Sequence, residues 1–232
     1  MKAKPLIGAT VRAKSRSVET LILSLASAAV AAIPAGFAAA LASRRLAGTP
    51  QPPIWLAVLC CVAIALWAGL VMPSAALLAI SCALGWTLFA LSTVDALALR
   101  LPDVLTYPLI AAGLIASWFL PARDLSGHAI GAVAGFAVFY AIAEFFRRAR
   151  GKEGLGLGDA KLAAAAGAWL GWQALSFVIL VACAAGFAWF GIAMLRRGRS
   201  ALEERMPFGI ALAFAIWIVW LYGLPSVLDP IG

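Results

Sequence analysis

The sequence predicts an all-α protein, a polytopic transmembrane helical bundle with about eight membrane segments. Hydrophobic residues make up 64% of the 232-residue chain and charged residues 12%, and the mean hydropathy is +1.00. Soluble domains carry about 25% charged residues, so a soluble core of this size would not bury the apolar surface present here. A lipid bilayer accepts that surface, because it is an apolar solvent for the outer faces of helices.

The charged residues are confined to short clusters between long apolar runs. A transmembrane helix needs roughly 20 mostly apolar residues, so a run of twice that length has room for two helices. Asp, Glu, Lys and Arg are absent from the stretches Thr20–Ser43, Leu46–Val94, Val104–Ala122, Leu162–Leu195 and Met206–Leu228. These stretches predict where the spans lie.

Proline, glycine and polar residues divide the apolar runs into segments that follow a basic tail, residues 1–17. The predicted segments are 20–42, 54–71, 75–96, 104–121, 127–146, 158–171, 174–195 and 207–224. The first contains Pro34 and Gly36, and it either crosses the membrane or lies on its surface, which leaves eight or seven spans. The segment from Gly158 is short and rich in alanine, which is typical of a helix shielded by protein.

Basic clusters set the predicted orientation, because cytoplasmic loops favour Lys and Arg. The clusters at 147–152 and 196–205 lie two spans apart, and with eight spans Arg44 and Arg45 fall on the same, cytoplasmic side. The same count places the tail 1–17 outside, against the rule, unless the first segment does not cross. The net charge of +8 therefore reflects membrane topology, and no soluble stretch is long enough to form a basic domain that binds nucleic acid.

Small residues inside the spans indicate packing. Cys60, Cys61, Cys82 and Cys183 lie in apolar runs without a CxxC pair, so we interpret them as packing residues and predict no metal site or disulfide. A glycine at every fourth residue of 127–135 predicts a helix face that allows close backbone approach. There is no internal repeat of the kind that many transporters have.

Two aspartates are the main candidates for chemistry. An ionisable group within or beside a span is costly and is a functional-site candidate. Asp95 ends a long uncharged run and Asp159 opens another segment, and both ends fall on the cytoplasmic side of the predicted topology. Two carboxyl groups at one depth on neighbouring helices could share one proton and activate water, without a metal or cofactor. Asp103, which follows Pro102 at the start of a span, is the main rival of Asp95 for the first catalytic position, but it better fits a helix N-cap.

Asp95, Asp159 and Lys161 each also have a simpler, structural interpretation. Asp95 could face interfacial water or pair with Arg100, and Asp159 could be a carboxylate favoured by a helix N-terminus. Lys161 could steer a substrate, or it could reach along the span towards lipid headgroups.

Other polar residues have structural interpretations. Glu144 lies three and four residues before Arg147 and Arg148, which predicts ion pairs at a helix end. His128, the sole histidine, is next to the start of a span, and we predict that it lies at the membrane interface.

Glycines precede the second aspartate. Gly156 and Gly158 form a Gly-x-Gly run whose backbone freedom would let an extended substrate approach the main chain. A phosphate-binding loop would need a following Lys-Ser/Thr and a preceding strand. Neither is present, so nucleotide binding is disfavoured.

The motif Gly156-x-Gly158-Asp159-x-Lys161-Leu162 resembles the GxGD signature of bacterial type IV prepilin peptidases, which are intramembrane aspartic proteases. Val94-Asp95 and the following residues 101–109 are similar to the first aspartate motif of that family. The separation, 159 − 95 = 64 residues, is like the spacing in bacterial members. Residues 167–172 and Pro207-Phe208-Gly209 also match family patterns, and the resemblance covers roughly residues 75–225.

The resemblance implies an aspartic endopeptidase of the bacterial inner membrane. Such enzymes remove the basic leader from prepilin or pseudopilin substrates at the cytoplasmic face, for type IV pili, type II secretion or Flp-type pili. Asp95 and Asp159 take the catalytic positions, and Gly156, Gly158 and Lys161 take positions beside the substrate; no metal or cofactor is expected. Residues 54–232 would form the peptidase domain, after the tail and a region, 18–53, with the first apolar segment and a short cytoplasmic loop.

The chain departs from the longer members of that family. Bifunctional members have a cytoplasmic domain after the first span, often with paired CxxC motifs, and they N-methylate the new terminus. Here about eleven residues, Ser43–Pro53, join the first two segments, which predicts that methyltransferase activity is absent. The alternative functions are a small proton- or cation-coupled transporter that uses the paired aspartates, and a structural membrane subunit without chemistry.

Overall fold

The structure is a computed structural model, which describes residues 23–41, 44–45, 53–120, 124–150, 156–198 and 207–224. These residues form helices joined by short connections, with no strand among them. The helices are α1 (Leu23–Leu41), α2 (Ile54–Val71), α3 (Ala75–Ala98), α4 (Asp103–Phe119), α5 (Leu125–Arg150), α6 (Leu157–Leu170), α7 (Trp172–Arg197) and α8 (Phe208–Tyr222). Their bounds lie within a few residues of the predicted segments. The tail 1–17, most of the 43–53 loop and residues 151–155 lie outside the described residues.

The helices confirm the predicted polytopic membrane fold. In the described ranges, five helices are long and apolar enough to cross a membrane: α1, α2, α3, α5 and α7. Helices α4 and α8 are apolar but shorter, with 17 and 15 residues. Helix α6 has 14 residues, and all positions from Leu162 to Trp169 are buried, as its alanine-rich sequence predicts.

The chain divides into two compact units, and the division falls inside α3, between Trp86 and Thr87. The first unit holds most of α1, all of α2 and the first half of α3. Within it, the Trp86 indole N–H donates a hydrogen bond of 3.0 Å to the Cys61 carbonyl group, and a Cβ at Gly36 would lie 2.6 Å from the Val58 Cα. The second unit holds the candidate aspartates, so both belong to one compact body.

Glycines let α5 and α6 approach at backbone distance. A Cβ at Gly131 would lie 2.8 Å from the Gly167 carbonyl oxygen, and one at Gly135 would overlap the Ala163 carbonyl group. A Cβ at Gly127 would make only ordinary contacts, the nearest at 3.5 Å. Two of the three predicted glycines therefore form the close contact, which brings the helix carrying Asp159 against α5.

Trp169 joins α6 to two further helices. Its indole N–H donates a hydrogen bond of 2.8 Å to the Leu109 carbonyl oxygen of α4. Its ring meets that of Trp220 in α8 edge-on, with 5.2 Å between the ring centroids. On α4, a Cβ at Gly113 would lie 2.6 Å from the Trp169 ring. The short α6 is thus held from several sides.

Polar side chains define the N-terminus of α5. Asp124 accepts hydrogen bonds from the Ser126 hydroxyl, at 2.5 Å, and from the Ser126 and Gly127 N–H groups, at 3.1 Å. These bonds, above all that from the hydroxyl, hold the pKa of Asp124 below its ordinary value. That His128 lies at the depth of the membrane interface stays a prediction. Its ring is buried, with Nδ1 2.9 Å from the Ala168 carbonyl oxygen, because the close α5–α6 contact encloses it.

The α5–α6 contact predicts different effects of alanine at two helical glycines, Gly167 of α6 and Gly127 of α5. A Cβ at Gly167 would overlap the Gly131 carbonyl group, and backbone cannot yield unless the helices separate. We expect Gly167→Ala to lower the free energy of unfolding by about 1–3 kcal/mol, as measured by denaturant unfolding in detergent. The matched control, Gly127→Ala, should stay near wild type. Equal stability of the two variants would contradict this packing.

Candidate active site

Asp95 lies in the last turns of α3 and is buried. The residue is only 5% exposed and lies beside the buried Leu91 and Val94. Oδ2 has no hydrogen-bond partner among the described residues. A buried carboxyl group without full hydrogen bonding is costly, so its presence calls for a compensating charge or a function.

The N-terminus of α8 supplies part of that compensation. The backbone N–H groups of Gly209 and Ile210 are directed at the Asp95 carboxyl group. Unpaired N–H groups and the helix dipole make such a terminus attractive to negative charge. A Cβ at Gly209 would lie 2.6 Å from Asp95 Oδ2, so only glycine leaves room for the carboxyl group there.

Asp159 lies in the first turn of α6. The helix begins after Gly156, whose backbone is extended at φ −76° and ψ 146°. The Asp159 side chain accepts a hydrogen bond from the Gly156 N–H, and the Asp159 N–H donates one of 3.1 Å to the Gly156 carbonyl oxygen. This reciprocal pairing closes the helix end, and it fixes the Asp159 carboxyl group relative to the Gly-x-Gly run.

The structure brings the two predicted aspartates together. The Asp159 carboxyl group is close enough to interact with the charge of Asp95. Leu101 lies against the backbone on both sides: a Cβ at Gly158 would be 2.9 Å from the Leu101 Cβ, and one at Gly209 would be 3.2 Å from its Cδ1. The ends of α3, α6 and α8 therefore converge around Leu101.

A tight turn after α3 places Leu101 there. Leu99 has a φ of +50°, in the left-handed region, which costs a non-glycine residue about 1–2 kcal/mol. Its N–H donates a hydrogen bond of 2.9 Å to the Asp95 carbonyl oxygen. The strained residue thus ends α3 one turn after Asp95 and redirects the chain into Leu101 and α4.

Lys161 is held by α4. Its ammonium group donates to the Asp103 carboxylate and lies 5.1 Å from the centroid of the Tyr107 ring. The N-cap prediction for Asp103 is wrong: Pro102 is the N-cap of α4, without a side-chain cap hydrogen bond, and Asp103 is the first helical residue. The Asp103 carboxylate instead forms an ion pair with Lys161, and this pair connects α4 to the turn that carries Asp159. A contact between Lys161 and substrate stays a prediction.

The remaining acidic residues have other partners. Glu144 pairs with Arg147 and with Arg148, the latter at 2.6 Å, as the sequence predicts. Asp124 caps α5 at the level of Gly171, which is 12 residues from Asp159, or about 18 Å along a helix. In the part of the chain that the structure describes, no group of three His, Cys, Asp or Glu side chains is placed to hold a metal ion.

The known proteins that this chain resembles are leader peptidases. Residues 82–191, which include Asp95 and Asp159, match the model of the Type IV leader peptidase family. Among curated proteins, a "Prepilin leader peptidase/N-methyltransferase" of Aeromonas salmonicida is 43% identical over 140 residues, 60% of this chain and 48% of the relative. One from Burkholderia pseudomallei is 43% identical over 141 residues, 61% of this chain and 45% of the relative.

A third relative of that name, from Pseudomonas aeruginosa, is 43% identical over 140 residues, 60% of this chain and 48% of its own length. The chain thus spans about half the length of the curated relatives it matches. No solved structure matches the chain.

The contact between Gly209 and Asp95 predicts non-additive stability. Gly209→Ala should lower the free energy of unfolding by about 1–3 kcal/mol, because the new Cβ overlaps the carboxyl group. In an Asp95→Ala background the same substitution should cost clearly less, since the group it strikes is gone. Denaturant unfolding of the four proteins gives the coupling. Gly191→Ala, whose Cβ would meet no atom within 4 Å, is the control, and strictly additive effects would contradict the contact.

Proposed function

We propose, from the match of residues 82–191 to the model of the Type IV leader peptidase family, that the chain is an intramembrane aspartic endopeptidase. Its substrates are prepilins or pseudopilins, from which it removes the basic leader. The single observation that carries the proposal is the pairing of Asp95 with Asp159 at converging helix ends within those residues. Aspartic proteolysis requires two paired carboxyl groups in a confined apolar site.

The mechanism follows from the pair. Two carboxyl groups whose charges interact cannot both ionise cheaply, so in this mechanism the pair carries one proton. The ionised member takes a proton from a water molecule as that water attacks, and the protonated member polarises the scissile carbonyl group. No covalent intermediate forms. The N–H groups at the start of α8, directed at Asp95, let the pair retain its single negative charge in apolar surroundings.

The substrate backbone binds beside the Gly-x-Gly run. Gly156 is exposed and extended, so its main chain is accessible to an extended peptide, which would pair with it as an added strand. Gly158 packs against Leu101, which keeps that peptide close to Asp159. Lys161, through Asp103, holds the adjoining turn in place.

The site faces the cytoplasm in the inner membrane. Basic clusters at 147–152 and 196–205 begin in the last turns of α5 and α7, and cytoplasmic loops favour such clusters. The first cluster leads directly into the Asp159 helix. A basic leader that remains in the cytoplasm would therefore reach the aspartates without crossing the bilayer.

The short form of the enzyme performs peptide cleavage alone. The loop 43–53 has about eleven residues and the sequence has no CxxC pair, whereas the resemblance associates methyl transfer with a cytoplasmic domain that often has paired CxxC motifs. The peptidase domain, 54–232, follows a first apolar segment and the basic tail.

The aspartate pair predicts complete loss of cleavage in single conservative variants. Asp95→Asn and Asp159→Asn each remove the shared proton, so co-expression with a prepilin should leave the precursor uncut, seen as the absence of a mobility shift. Asp124→Asn should cleave normally, because asparagine also caps helices and position 124 is remote from the pair.

Membrane abundance of all three variants should match wild type. Cleavage by either paired variant would reject the assignment. Cleavage by the purified wild-type enzyme in detergent, where no ion gradient exists, separates the peptidase from a transporter that uses the same aspartates.

The absence of methyl transfer is tested on the cleaved product. Wild-type enzyme, a prepilin and S-adenosylmethionine are incubated together, and the new N-terminus is examined by mass spectrometry. We expect an unmodified amino group. A product heavier by one methyl group would show that the short form retains the second activity.

A further inference from the structure

An apolar groove lies between α7 and α8. Its lining includes Gly186 and Trp189 of α7 and Phe208, Ile210 and Phe214 of α8, and its volume is about 210 Å³. Trp189 is 63% exposed and Phe214 48% exposed. In a membrane protein such exposed apolar side chains face lipid, so the groove opens sideways into the bilayer.

The α8 wall of the groove is a single helix face. Four of its five residues recur at i, i+3, i+4 and i+7, which is one side of a helix. They are Pro207, Ile210, Ala211 and Phe214, and the fifth is Phe208. Seven residues make two turns, or about 10 Å. The groove thus begins at the N-terminus of α8 and continues for two turns into the apolar layer.

The same end of α8 belongs to the candidate active site. The Ile210 side chain lines the groove, while its backbone N–H is directed at the Asp95 carboxyl group. Gly209, between Phe208 and Ile210, abuts Asp95 Oδ2. A molecule seated in the groove therefore ends within one residue of the groups that hold the aspartate.

We propose that this α7–α8 groove seats the apolar, membrane-embedded helix of the substrate; the inference rests on the proposed peptidase function. A peptide inside lipid must satisfy its own backbone hydrogen bonds, so it arrives as a helix. Ala185 and Gly186 on the α7 wall permit close backbone approach. The groove orders about two turns of that helix and presents the adjoining, unwound peptide bond to Asp95 and Asp159. A lipid acyl chain is the competing occupant, but it gives no reason for continuity with the carboxyl pair.

Two glycines of α7 provide a matched test. Neither Gly186 nor Gly191 has an atom within 4 Å of where a Cβ would stand, so a side chain at either position begins in open space. Only Gly186 lines the groove. Gly186→Phe should fill it, whereas Gly191→Phe should leave it open.

The full chain is reconstituted in lipid vesicles with two synthetic peptides that share a basic leader ending in glycine. One peptide continues into an apolar helix of about 20 residues, enough to span a bilayer, and the other stops after a short polar segment. Gly186→Phe should lower kcat/KM for the helical peptide by about tenfold, through KM, which corresponds to 1.4 kcal/mol of binding. The polar peptide should be cleaved as by wild type, and Gly191→Phe should cleave both normally.

Three results would reject the proposal that the groove seats the substrate helix: no effect of Gly186→Phe, an equal effect of both variants, or an equal loss with both peptides. Failure of the wild-type enzyme to cleave either peptide would instead reject the proposed function. Photocrosslinking tests binding in the groove independently of cleavage. A benzophenone side chain at 186 should label the apolar helix of the peptide, and one at 191 should not. Labelling of lipid alone from 186 would assign the groove to lipid.

Discussion

The structure depends on keeping two carboxyl groups together in apolar surroundings. An unpaired charge among apolar helices is costly, and two like charges are worse. Asp95 is met by the N–H groups at the start of α8, and Asp159 by the N–H of Gly156. Each carboxyl group thus lies at a helix N-terminus, the one position in a helical protein that offers unused N–H donors. The pairing is possible because two such termini converge at the end of α3.

Backbone proximity makes that convergence possible. Helix α6 has only 14 residues and buries most of them, so it depends on its neighbours rather than on lipid. Glycine and alanine contacts bring α5 against it, and Trp169 joins it to α4 and α8. Gly209 applies the same principle at the site itself, where the absence of a side chain creates the space that the Asp95 carboxyl group fills. Glycine thus permits both the close helix packing and the placement of the Asp95 carboxyl group.

Much of this was accessible from the sequence. Stretches without charge located the helices, with α2 at the predicted bounds, because a bilayer imposes length and apolarity on each span. The depth of Asp95 and Asp159 in the predicted topology was enough to suggest that they meet. The Asp103 N-cap was misassigned and the burial of the His128 ring was not predicted, because one sequence shows a residue's place along its own helix and not what lies opposite: Lys161 faces Asp103, and Ala168 faces His128. Leu99 gave no signal, since nothing in its type predicts a positive φ.

Crosslinking between positions 95 and 159 tests the central claim most directly. Cysteines replace both aspartates in a chain whose four native cysteines are changed to alanine, and a disulfide or a short dibromobimane bridge requires the two side chains to be within a few ångströms. We expect an efficient intramolecular bridge in membranes, and none between positions 124 and 159, which lie about 18 Å apart along the bundle. A folded protein in which 95 and 159 fail to bridge would contradict the account.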